Sequence, residues 1–94
     1  MWHVEGFSAR DAPGDLEAFL RDRFLPYFRG RGFGVRVFVT QASLGSRQFW
    51  LATEMERFAD IDGWPERAGD EGAALIDELL TLTDGIQASV VAEL

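Results

Sequence analysis

Within residues 33–56, apolar side chains fall at every second position over two short runs separated by a turn, and this alternation restricts the available folds more than any other feature. Val35, Val37 and Val39 point one way along a first strand. Phe49, Leu51 and Met55 point the same way along a second, because successive side chains leave a strand on opposite faces. Ser43, Leu44, Gly45 and Ser46 supply the turn, so the stretch predicts a β-hairpin. Its other face carries Arg36, Phe38, Thr40, Gln48, Trp50 and Glu54. Large aromatics mixed with charges make neither a dry core nor an ordinary wet surface, and function is expected there.

Upstream, residues 2–9 alternate as a strand, with Val4 on one face and His3, Glu5 and Phe7 on the other, while Gly6 marks a bulge or a close contact. Asp11 or Asp15 can accept a free backbone N–H and Pro13 suits a first turn, so a helix begins there. Leu16, Phe19, Leu20, Phe24, Tyr27 and Phe28 recur at three- and four-residue spacing and form its core-facing stripe. Pro26 lacks the N–H that would reach the Asp22 carbonyl, which predicts a kink or an end near Leu25, with Gly30 and Gly32 completing the stop.

Residues 57–69, with Gly63, Pro65 and Gly69, read as irregular with one helical turn near Phe58 to Ile61. Asp70 and Glu71 open a second long helix that buries Leu75, Ile76, Leu79 and Leu80. Asp84 and Gly85 end it, and residues 86–94 form a last strand. The order β-α-β-β-α-β over residues 1–94 predicts a single α+β domain of ferredoxin-like fold. Its sheet has four antiparallel strands with the third between the first and second, and both helices cover one face.

Composition excludes several functions. A net charge of -7, with nine arginines and no lysine, argues against a nucleic-acid partner and excludes Schiff-base chemistry. Without cysteine there is neither a disulfide framework nor a thiolate metal site. Asp60-Ile61-Asp62-Gly63 glances at a calcium loop, but Gly63 at its sixth position would put Phe58 first and Gly69 last, and neither can coordinate. No metal is expected. No apolar run approaches the roughly 20 residues of a membrane span, and the N-terminus lacks the pattern of a signal peptide, so a cytoplasmic location is expected.

With the valines turned toward the helices, the uncovered sheet face is expected to present His3, Glu5 and Phe7 with the mixed face of the hairpin. Covering Trp50, Phe38 and Phe7 is worth about 2 to 3 kcal/mol each, which favours a homodimer through that face. His3, Arg36, Phe38, Trp50 and Glu54 are the candidate ligand-contacting residues. His3 beside Glu5 is an oriented base or a structural histidine. Arg36 and Glu54 clamp a polar ligand or pair across strands. Trp50 and Phe38 stack on a ligand or fill a dimer core.

The helix 16–28 followed by Arg29-Gly30-Arg31-Gly32-Phe33, together with Phe49-Trp50-Leu51-Ala52-Thr53-Glu54-Met55-Glu56, resembles the dimeric α+β barrel superfamily. Its small members set two ferredoxin-like sheets face to face around a pocket, and they include the antibiotic biosynthesis monooxygenases, cofactor-independent oxygenases of aromatic substrates, and haem-degrading relatives. The resemblance implies a homodimer that binds a small apolar or aromatic molecule on the sheet face, as a monooxygenase or isomerase without a cofactor. The alternative is a non-catalytic dimerisation or regulatory module. His3 is the sole histidine and stands at the start of the first strand, so imidazole ligation of haem is not expected.

Overall fold

Phe7 and Phe49 have no exposed surface, and their rings stack with centroids 6.1 Å apart. They mark the centre of the computed structural model, which describes residues 1–40 and 47–94, the side chain of Phe58 excepted. The expected turn at Ser43 to Ser46 lies outside the described residues. Phe7 is on β1 (Trp2–Ala9) and Phe49 on β3 (Gln48–Glu54), directly opposite one another in an antiparallel pair. β2 (Val35–Val39) flanks β3, and β4 (Thr83–Val91) flanks β1, giving the order β2-β3-β1-β4 with every pair antiparallel. This is the expected ferredoxin-like α+β fold.

Residues directly opposite in a sheet share a face, so the register assigns sides. Val35 faces Thr53, Val37 faces Leu51 and Val39 faces Phe49, all on the helix side; Phe38 faces Trp50 on the open side. On β1, His3 pairs with Thr53, Glu5 with Leu51 and Phe7 with Phe49. His3, Glu5 and Phe7 therefore line the helix side, contrary to the expectation that they belong to the open face. Alternation had grouped the three correctly. Burying Phe7, worth about 2 to 3 kcal/mol, decides which way the strand turns, and His3 and Glu5 follow it.

The first helical rod is α1 (Pro13–Phe19), a π-helical turn at Leu20–Phe24 and α2 (Leu25–Gly30). It buries Leu16, Phe19, Leu20, Phe24 and Phe28 against the sheet. Neither Asp11 nor Asp15 caps it; the cap position is Ala12, with Pro13 following. The rod does not end near Leu25. Instead the Leu25 N–H donates to the Leu20 carbonyl, five residues back. This wider turn makes room for the Pro26 ring, which would press on the Asp22 carbonyl in an ordinary α-helix.

A 3-10 segment at Phe58–Gly63 leads into α3 (Trp64–Leu82). Gly69 breaks α3 with φ +72° and ψ -178°. The carbonyls before the break are taken up from the first rod: Tyr27 Oη donates to Ala68 O at 2.5 Å and Arg31 Nε to Arg67 O at 2.9 Å. The region Gly69 occupies is open essentially to glycine alone, so Gly69→Ala is expected to cost about 1 to 3 kcal/mol in urea unfolding. Gly63→Ala is the control, since Gly63 has an ordinary φ of -89° and a Cβ there meets nothing.

β4 starts at Thr83, earlier than expected, and Asp84 and Gly85 are part of it. Its pairing with β1 shifts register between Gly6 and Ser8, where Gly85 at φ +65° accommodates a bulge. Gly6 also makes the close contact its sequence position suggested: a Cβ there would lie 3.3 Å from Trp50 Nε1.

Candidate functional site

Because Phe7 fixes the orientation of β1, Glu5 points between the sheet and α3. A cavity of about 460 Å³ lies there. Phe24 and Phe28 contribute from the first rod, Phe33, Val35, Leu51 and Thr53 from the β2–β3 side, and Trp64, Ala68, Asp77 and Leu79 from α3. The size suits a small organic molecule, and an apolar wall with few polar groups is the usual composition of such sites.

The charged side chains on this wall are Glu5 and Asp77. Glu5 keeps 28% of its side chain exposed, and loss of hydration raises its carboxyl above the usual carboxylate range, with His3 acting in the opposite sense. His3 Nδ1 is 3.7 Å from Glu5 Oε1, within reach of charge attraction but too long for a hydrogen bond. Nδ1 is buried without a partner among the described residues, and so is Trp64 Nε1. The imidazole meets the Trp64 indole edge-on, centroids 5.1 Å apart. His3, Glu5 and Trp64 thus form a connected group, of which Glu5 and Trp64 line the apolar space.

Retaining a carboxylic acid with a raised value in the folded state has a consequence for stability. Between the unfolded value, near 4.5, and the raised folded value, the native state holds more proton than the unfolded chain, so stability falls as pH rises through that window. Glu5→Gln removes this loss. Thermal denaturation is expected to show a higher Tm than wild type at pH 7 and no gain at pH 3, where both states of Glu5 are protonated.

The five expected ligand contacts divide between two sides of the sheet. Arg36, Phe38, Trp50 and Glu54 are on the open side; His3 is on the helix side, a correction that follows from the inverted β1. Phe38 is 55% exposed and Trp50 38%. Arg36 lies opposite Ala52 with its guanidinium 5.7 Å from the Trp2 ring, whereas Glu54 lies opposite Trp2. Among the described residues Arg36 and Glu54 form no ion pair. The open face does carry a depression of about 340 Å³, but of the five only Trp50 lines it, alongside Val4, Gly6 and Gln48.

Sequence reasoning missed Trp64 and Asp77. Trp64 sits in a glycine- and proline-rich stretch where an aromatic had no periodic partner, and the available signal was Pro65, a residue suited to the first turn of a helix. Asp77 was visible as an acidic residue beside the expected Ile76 and Leu80 stripe.

No protein-family model matches the sequence, and no protein of curated function does. Solved structures do match. An antibiotic biosynthesis monooxygenase superposes with a TM-score of 0.66 at 14% identity, over 100% of this chain and 99% of that one. SnoaB, a cofactor-independent oxygenase from Streptomyces nogalater, gives 0.68 at 15% identity, over 99% and 93%. A dimeric ferredoxin-like protein from an uncultured marine organism gives 0.60 at 16%, over 99% and 90%. What is shared is the fold. The ferredoxin-like architecture of the monooxygenase-like proteins is present from end to end, with little of their sequence. No described helix is long and apolar enough to cross a membrane.

Proposed function

We propose that residues 1–94 act as one cytoplasmic α+β domain that pairs into a homodimer through its open sheet face and binds a small apolar or aromatic molecule between the sheet and α3. The cavity beside Glu5 carries this reading, because its volume and aromatic walls suit such a molecule. Phe38 and Trp50, with Arg36 and Glu54 around them, then serve the contact between copies, and the dimeric relative in fold supports that pairing. A carboxyl with a raised proton affinity next to an imidazole suits proton transfer to or from a bound molecule. Proton transfer is a step that an oxygenase or isomerase working without a cofactor requires, and the likeness in fold to a cofactor-independent oxygenase supports that chemistry here.

Native mass spectrometry of the protein from its own host tests the binding. A co-purifying small molecule, lost when Ala68 is enlarged to Leu to fill the cavity, is the expected result. Light scattering at micromolar protein is expected to give the mass of two chains. A stable monomer would remove the dimer, and a dimer with no bound molecule and no affinity for neutral aromatic compounds would favour a non-catalytic dimerisation module.

A further inference from the structure

We infer that the cavity between the sheet and α3 selects an organic cation, an aromatic or alkyl ammonium whose charge lies against Glu5 and whose apolar body lies among Phe24, Phe28 and Trp64. This rests on the reading of the cavity as a small-molecule site and adds the charge of the ligand to it.

The charged groups on the cavity wall are both carboxylates. Among the described residues no arginine pairs with either of them. Arg10, Arg21, Arg23, Arg47 and Arg57 pair with Asp84, Asp22, Glu78, Glu17 and Asp60. Arg29, Arg31 and Arg67 donate to the backbone carbonyls of Val35, Arg67 and Gly32, and Arg36 lies over Trp2. His3, which carries positive charge only when protonated, has its Nδ1 3.7 Å from Glu5 Oε1, too far to hydrogen-bond it. A carboxylate partly removed from water without a hydrogen-bonded partner favours a positive guest over a neutral or negative one. The rings of Phe24, Phe28 and Trp64 act in the same sense, since the faces of such rings attract ammonium groups, whereas the Phe33 ring already has the Arg67 guanidinium 4.3 Å from its centroid. A chain with a net charge of -7 also draws cations toward its clefts.

Binding of this kind is linked to pH. An ammonium beside Glu5 favours its ionised form, so the complex releases the proton that burial holds there, and affinity rises as pH rises through the titration of Glu5. The titratable group beside Glu5 is His3 on its own strand, while Asp77 on α3 lines the same cavity and is exposed; the neighbours of Glu5 across β3 and β4 are Leu51 and Ala88.

Isothermal titration with 2-phenylethylammonium, 2-phenylethanol and 3-phenylpropionate decides the matter, since the three share an aromatic body and differ in charge. The ammonium is expected to bind at least tenfold more tightly than the alcohol, with no binding of the carboxylate. Glu5→Gln is expected to abolish that preference while the alcohol still binds, and Glu54→Gln, on the open face, to leave it intact. Equal affinity for ammonium and alcohol would overturn the charge selection and leave the small-molecule site standing. Loss of the preference in Glu54→Gln would move the cation to the open face and overturn the inference. Binding of none of the three would overturn both readings.

Discussion

Phe49→Ala is expected to cost about 3 to 5 kcal/mol in urea unfolding, and Phe7→Ala about the same. Both rings are fully buried and stacked on each other at the centre of the sheet's covered face, so removing either leaves a void that its neighbours on β1 and β3 cannot close. A small domain has a total stability of about 5 to 15 kcal/mol, so either variant stands near the edge of folding. Phe38→Ala, on the open face with 55% of the side chain exposed, is expected to change monomer stability by no more than about 0.5 kcal/mol. The comparison tests the orientation of β1. Should Phe7→Ala prove as mild as Phe38→Ala, β1 would face the other way and Glu5 would leave the cavity.

Trp50→Ala is expected to weaken the proposed dimer by about 2 kcal/mol or more, roughly thirtyfold in dissociation constant, and Trp64→Ala far less. Trp50 projects from a central strand of the open face, opposite Phe38 and against Gly6, whereas Trp64 is turned inward, against His3 and the cavity. Sedimentation equilibrium on the two folded variants measures the difference. Equal dissociation constants would mean that the copies meet through some other surface.

The hairpin was legible because its signal was redundant: Val35, Val37, Val39, Phe49 and Leu51 all point to one face, and no charge competes with them. The second half of α3 was legible too, since Gly69 does separate it from what precedes, and Asp70 follows the break. On β1 the signals conflicted. His3 and Glu5 look like surface residues and Phe7 like core, yet alternation places all three together. The conflict resolves along the length of the strand: Phe7 is at the packed centre, whereas Glu5 and His3 lie toward the end where the helical layer leaves a space. That space arises from tertiary packing, and no local pattern encodes it. His3 and Glu5 were assigned to the wrong face of the sheet for this reason, while Arg36, Phe38, Trp50 and Glu54 were assigned to the face on which the register places them.

The π-helical turn at Leu20–Phe24 also bears on how the chain tolerates changes in length. A one-residue deletion there would leave regular α geometry, in which the Pro26 ring would press on the carbonyl four residues back. It would not rotate what lies beyond it, because the wider turn takes up one residue more than a regular α turn does. Leu16, Phe19, Phe24 and Phe28 would therefore keep one face, with Phe24 and Phe28 still on the cavity wall. The irregular turn accommodates one extra residue without dephasing the two halves of the rod, so what a deletion there would lose is the room for Pro26.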